Sequence, residues 1–353
     1  MDKRKKILTG LLIMVGVLGA SFVGSYFYFS IERAFDEIRD KNGLIIINHP
    51  GRYDQPVDWY MDLFDKYNNT IVGLEVHNQG DRYKNDRVLW DAINRQRSPY
   101  DLVWGFSNDD FHSRSHFFRS YQHLLMANLT EAELRKAMSS GATYFSYEPD
   151  GANANDPNFG QAKTPHLVNV TIQNSMILLE GTNYDNILWF NDQSVNFLNG
   201  TSVNTTTVTS NFVRAVFINE FGFTYTQPFG LAEAGIVNPY TAVNWTTTNH
   251  FKANFHTHTT QSDGKLSPEE VITAYHDAGY QILALTDHSK NTWSWTKWID
   301  AEPMTRSSST EYYPSLFMLA VSGIEPSNSH HFGAFFTNYN GAATDLKIAL
   351  QNL

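Results

Sequence analysis

An α/β protein with an all-β segment set into it is what this sequence predicts, and three observations carry the prediction. Residues 252–288 spell out a strand, a turn, a helix and a second strand. Several other apolar runs end in His, Asp or Glu. Between residues 167 and 231 the pattern changes to short alternating runs separated by turn residues, the mark of half-buried strands.

The strand–helix–strand unit opens at residues 252–255. Side chains two apart on a strand share a face, so His256 and His258 project to one side, which makes half of a metal site. Asp263 follows in a Ser-Asp-Gly turn. Ser267 then stands where an N-cap belongs, with Pro268 at the first helical position. The next strand, residues 282–286, ends in Asp287 and His288. Further on, residues 319–325 form an apolar strand ending in Glu325, and His330-His331 leads into a strand-like stretch at residues 332–337. Alternation allows only one of these two histidines to face inward, and the sequence does not choose between them.

The N-terminal part carries matching pieces. Residues 44–52 read Leu-Ile-Ile-Ile-Asn-His-Pro-Gly-Arg, placing His49 and Arg52 at a strand end. Residues 104–112 read Trp-Gly-Phe-Ser-Asn-Asp-Asp-Phe-His, placing Asp110 and His112 likewise. Helical patterns cover residues 30–41 and 345–353. Together these motifs resemble the PHP (polymerase and histidinol phosphatase) family: HxH, Asp, Asp-His, Gly-x-Glu and His at the C-terminal end, His-Pro and Asp-x-His at the N-terminal end. The family order is reversed, with the second half first, as in a circular permutation, which chain ends lying close together make tolerable. The resemblance covers roughly residues 31–150 and 250–353. It implies a distorted (β/α)7-type barrel assembled from the two halves, with its site at the C-terminal ends of the strands.

The same resemblance implies a ligand set and a chemistry. His256, His258, Glu325 and Asp110 would hold one divalent ion. Glu325 would bridge to a second, bound also by His49 and one of His330 and His331. Asp263, His288 and His112 would complete a third. With no cysteine in the chain, all ligands are nitrogen or oxygen, which admits Zn, Mn or Fe, two or three per chain. The implied activity is phosphoester hydrolysis of a small phosphorylated substrate by a metal-bridging hydroxide. Arg52, Asp110 and His112 are the expected catalytic residues, with Arg52 placed to take a phosphate oxygen or, alternatively, to form a surface ion pair. Lys290 has the same ambiguity. Hydrolysis of a carbamate or ester on the same centre, and a non-catalytic exported binding protein, are the competing readings. Asp287 is expected to orient an imidazole. Glu75 and Asn78 line the pocket or cap the core. His77, His116, His123, His166, His250 and His276 match no motif, and Trp293, Trp295 and Trp298 read as loop packing or a stacking surface.

Composition sets outer limits. A net charge of −10 without a basic stripe argues against a nucleic-acid scaffold. Basic residues at positions 3–6 precede an uncharged apolar run at residues 7–29, long enough for a transmembrane signal anchor. The catalytic part is then extracytoplasmic, or secreted if the leader is cleaved. Asn-x-Thr occurs at Asn68, Asn128, Asn169, Asn199, Asn204 and Asn244, either glycosylation acceptors or the mark of an Asn/Thr-rich exported chain. The expected organisation is a flank and anchor at 1–30, the second barrel half at 31–150, a linker at 151–166, a small β-sandwich at 167–231, a linker at 232–249 and the first barrel half at 250–353. The sandwich either packs on the barrel or binds a carbohydrate or a protein.

Overall fold

The computed structural model describes residues 31–151, 163–327 and 330–339. Its N-terminal part runs helix α1 (residues 31–40), β1 (Leu44–Ile47), α2 (Val57–Lys66), β2 (Ile71–Asn78), α3 (Asn85–Arg97), β3 (Trp104–Asn108), β4 (Ser120–Met126), α4 (Glu131–Ser140) and β5 (Thr143–Tyr147). Nine strands follow: β6 (His166–Gln173), β7 (Met176–Thr182), β8 (Asn186–Asn191), β9 (Asn196–Asn199), β10 (Ser202–Asn204), β11 (Phe212–Asn219), β12 (Gly222–Tyr225), β13 (Phe229–Ala232) and β14 (Gly235–Val237). The C-terminal part holds β15 (Asn249–Asn254), α5 (Pro268–Asp277), β16 (Ile282–Leu285), β17 (Thr305–Arg306), β18 (Thr310–Tyr313), β19 (Met318–Ile324) and β20 (Phe332–Phe335).

Local sequence explains the elements around the site. Every residue of β1, β2, β16 and β19 is buried, as expected of strands covered on both faces. Helix α5 starts where the cap signal puts it: Ser267 Oγ accepts from the Glu270 amide, and the Ser267 amide donates to Glu270 Oε2 at 2.8 Å. A capping box of this kind contributes about 1 kcal/mol. The apolar face of α2, with Tyr60, Leu63 and Phe64, and that of α3, with Trp90 and Ile93, pack over β1 and β2 in one core cluster.

The expected barrel of alternating strands and helices is corrected by the pairing. Seventeen strands join one mixed sheet, and β6, β7 and β10 form a second sheet of three. Among the described residues the parallel ladders are β1–β2, β2–β3, β15–β16 and β16–β19. The other ladders are antiparallel. Nine successive strands, β6 to β14, have no α-helix between them. A parallel crossover needs a dozen or more residues. The link from Ile324 to Phe332 is shorter, so β20 turns back antiparallel on β19 and β1. The step from β16 to β19 passes through a short 3-10 turn and the β17–β18 hairpin instead of an α-helix.

The inserted segment is likewise not walled off. Strand β12 pairs with β5, β11 pairs with β8 and β12, and the large sheet runs through them without a break. Leu167, Ile177 and Val203 of the three-stranded sheet share one apolar cluster with Trp189 and Phe217 of the large sheet. Residues 203–209 divide into β10 and a short 3-10 turn at Thr205–Thr207.

The expected membrane anchor finds no support: no helix among the described residues is long and apolar enough to cross a bilayer. The apolar run at residues 7–29, most of the linker at 151–166 and the helical pattern at 345–353 lie outside the described residues.

Candidate metal centre

Pairing brings the ligand-bearing ends to one place. Strands β1, β2 and β3 run parallel, as do β15, β16 and β19. The two sets meet through a parallel bridge between Phe111, just past β3, and Thr257, just past β15. Residues that follow these strands therefore emerge at one edge. The antiparallel β20 enters from that edge, with Ile47 opposite Phe332, so His331 arrives beside His49.

Glu325 stands at the middle. Its Oε1 lies 3.1 Å from His256 Nε2, 3.3 Å from His331 Nδ1 and 3.5 Å from His49 Nε2. Its Oε2 lies 3.0 Å from His288 Nδ1 and 3.4 Å from His258 Nε2. Asp110 Oδ1 sits 3.2 Å from His256 Nε2, 3.3 Å from His258 Nε2 and 3.3 Å from His112 Nδ1. Asp263 reaches His112 Nε2 at 3.3 Å and His288 Nε2 at 3.6 Å. Four overlapping groups have their ligand atoms within 4.8 Å of one another: His49, His256 and Glu325; Asp110, His256 and His258; His288, Glu325 and His331; and His112, His258, Asp263 and His288. These groups could hold metal ions.

The donor set fits a cation. His258 Nδ1 and Nε2, Glu325 Oε2 and His49 Nδ1 are buried and have no hydrogen-bond partner. Buried polar atoms are normally satisfied, and a ligand cluster is where such atoms gain a partner by coordination. Burial opposes charge on His256, yet Glu325, Asp110 and Glu75 raise its pKa well above the ordinary histidine value. Burial, with the neighbouring His256, lowers that of His258. Burial works against ionisation of Glu325, but His256, His288 and His331 hold its pKa well below the usual carboxylate range, and His256, His258 and His49 do the same for Asp110.

A second layer of contacts aims these ligands. Glu75, in the buried run of β2, accepts from His256 Nδ1 at 2.9 Å, the His49 amide at 2.8 Å, and Asn78 and Asn108 side chains at 2.9 Å each. With Nδ1 engaged, His256 Nε2 is left facing Glu325 and Asp110. His112 donates Nδ1 to the Asp110 carbonyl at 2.8 Å, which turns Nε2 toward Asp263. Asn48, which the sequence did not single out, donates to Glu325 Oε1 at 2.8 Å. Two residues of these groups occupy left-handed backbone, His49 at φ 30° and Asp110 at φ 45°. Non-glycine residues there carry strain that surrounding contacts must hold, and the Glu75 bond to the His49 amide does this for one of them. Gly264 closes the Asp263 turn because a Cβ there would meet the His258 carbonyl oxygen at 2.4 Å.

Other expectations change. His331 joins the cluster, whereas His330 stacks on Trp59 with ring centroids 4.6 Å apart and lies 4.5 Å from Tyr53. Asp287 does not orient an imidazole: it accepts from the Thr259 amide and hydroxyl, Ser262 Oγ and Thr292 Oγ1, and so fixes the loop that carries Asp263. Arg52 is exposed beside Tyr53, and Lys290 bonds Gln261. His116 supports the site from outside by accepting from the His112 amide at 3.2 Å. Trp295 is buried against Tyr313 and Trp298 bonds the Thr292 carbonyl, which is loop packing. Of the two roles the sequence left open for Glu75, pocket or core, its contacts with His256 and the His49 amide place it at the pocket.

No family model, curated protein or solved structure matches the chain.

Proposed function

We propose that this protein is a metal-dependent hydrolase acting on phosphoesters, similar to PHP-type enzymes with the halves in permuted order. The observation that carries the reading is Glu325, one buried carboxylate within 3.5 Å of five imidazoles. Single ions rarely need such sharing, whereas a cluster of two or three does. His256, His258, Glu325 and Asp110 would hold one ion, Glu325, His331 and His49 a second, and Asp263, His288, His112 and His258 a third, with Zn, Mn or Fe compatible with the donors.

Such ions supply Lewis-acid activation of water and neutralise phosphate charge. The chain contributes the rest. Glu75 and the Asp110 carbonyl fix the His256 and His112 rings, which keeps the donor geometry set before substrate arrives. The buried ligands exclude water from the floor of the site. Asp263, with 55 % of its side chain exposed, marks the side open to substrate. Arg52 stands at the rim as a guanidinium for a phosphate oxygen.

Metal content of the purified protein, with hydrolysis of an aryl phosphomonoester and phosphodiester on the same sample, tests the reading. Two or three ions per chain with turnover, lost in Asp110→Ala at a near-normal unfolding midpoint, is the expected result. Bound metal without phosphoester turnover, or undiminished turnover in Asp110→Ala, overturns it.

A further inference from the structure

The rim on the His49 side repeats one device. The segment after β1 supplies Arg52-Tyr53 and the segment after β2 supplies Arg82-Tyr83. Both tyrosine rings flank His49, with centroids 5.9 Å and 5.7 Å from the imidazole. Each carries the guanidinium of the preceding residue: Arg52 Cζ is 5.8 Å from the Tyr53 centroid, and Arg82 Cζ is 5.0 Å from that of Tyr83. A guanidinium held on an aromatic face keeps its N–H edge available for a bidentate acceptor.

The arms that present them are anchored. Tyr53 Oη accepts from the His331 amide at 3.0 Å, and the Gly51 amide donates to the buried Asp86. Several arginines elsewhere in the described residues pair with carboxylates, among them Arg87 with Asp81, Arg97 with Asp65, Arg135 with Glu131 and Arg214 with Asp91. Arg82 reaches only the Gln79 amide oxygen, at 3.4 Å, and Arg52 has no carboxylate within ion-pair distance among the described residues. In a chain of net charge −10, two exposed guanidiniums left without acids beside a cation-binding cluster call for an anion from solution.

We infer that the substrate carries a second phosphoryl group, which Arg52 and Arg82 grip on the His49 side while the group to be cleaved lies over the metal cluster. This deepens the phosphoester reading and rests on it. Two guanidiniums, each held over its own tyrosine ring, offer the forked N–H edges that pair with phosphate oxygens, which a lysine-type point charge does not.

Calorimetric titration tests the inference without requiring turnover. Inorganic phosphate and the non-hydrolysable methylenediphosphonate are titrated into the metal-loaded full chain, its Arg52→Met/Arg82→Met double variant and its Arg82→Lys variant. The expected wild-type preference for the diphosphonate is tenfold or more. It should fall at least tenfold in the double variant and partly in Arg82→Lys. A preference that survives the double substitution, or its absence in the wild type, overturns the inference. An arginine-dependent preference in a protein that hydrolyses no phosphoester would support the diphosphoryl site and remove the hydrolase reading. Turnover without arginine dependence would do the reverse.

Discussion

Two groups of histidines in this molecule are gathered from neighbouring strands, and they differ in what stands between the rings. Around Glu325, carboxylates alternate with imidazoles, and several buried nitrogens and oxygens point inward with no hydrogen-bond partner. Around Tyr144, the histidines meet a phenol instead. His250 Nδ1 and His166 Nδ1 lie 3.0 Å and 3.3 Å from Tyr144 Oη, and the His123 ring stacks on the Tyr144 ring at 4.7 Å. Burial above all, with the like charges of His166, Lys252 and His250, presses the pKa of His123 well below the ordinary value. Burial first, and His166 second, bring His250 down to about 4. Proximity of imidazoles alone gives neutral rings packed on an aromatic. Interleaved carboxylates give the same side chain the surroundings of a group that could hold a cation.

Exchanging the charge at the shared carboxylate gives the largest test of this contrast. Glu325→Gln keeps the shape and removes the one negative group common to five histidines. Metal affinity should fall by more than about 100-fold, beyond the range usual for an outer contact, read as metal content after dialysis. His123→Phe should leave the full complement of metal in place. Equal metal loss in both variants would erase the distinction between the two clusters.

A smaller effect is expected one layer out. Glu75→Gln retains an acceptor for the His49 amide but gives up the charge that orients His256, and a loss of about 10- to 100-fold in metal affinity should follow, measured by competition with a chromophoric chelator. Unchanged affinity would make Glu75 a core group only. Glu75 also shows where the sequence stops being legible. His256 and His258, Asp263 in its turn and Ser267 at its cap follow from spacings of a few residues, and the structure keeps them. An acid within Ile-Val-Gly-Leu-Glu-Val reads equally as pocket or core, because its partners His49, Asn108 and His256 come from three other segments. The same non-local dependence hid the architecture: β12 finds β5 and β15 finds β4 across long stretches of chain, so periodicity named strands without saying which sheet they would join. His331 over His330 was decided by Trp59 and Tyr53, aromatic neighbours remote in sequence.

The gentlest test separates the Tyr144 cluster by pH. His250 has an ordinary pKa of 6.5 and is held at about 4 in the fold. Below about pH 6.5 the unfolded chain takes up a proton there that the folded chain refuses, so the unfolded state binds more protons and stability falls as pH drops toward 4. Above pH 6.5 both states are neutral at this site and its contribution is fully present. His250→Phe removes this proton while keeping a ring against Tyr144 and Trp245. The gap in unfolding midpoint between wild type and variant should therefore shift in favour of the variant between pH 6.5 and 4. A gap that stays level across that interval would show that His250 protonates freely in the folded protein, and the Tyr144 group would then resemble the group around Glu325 in tolerating charge.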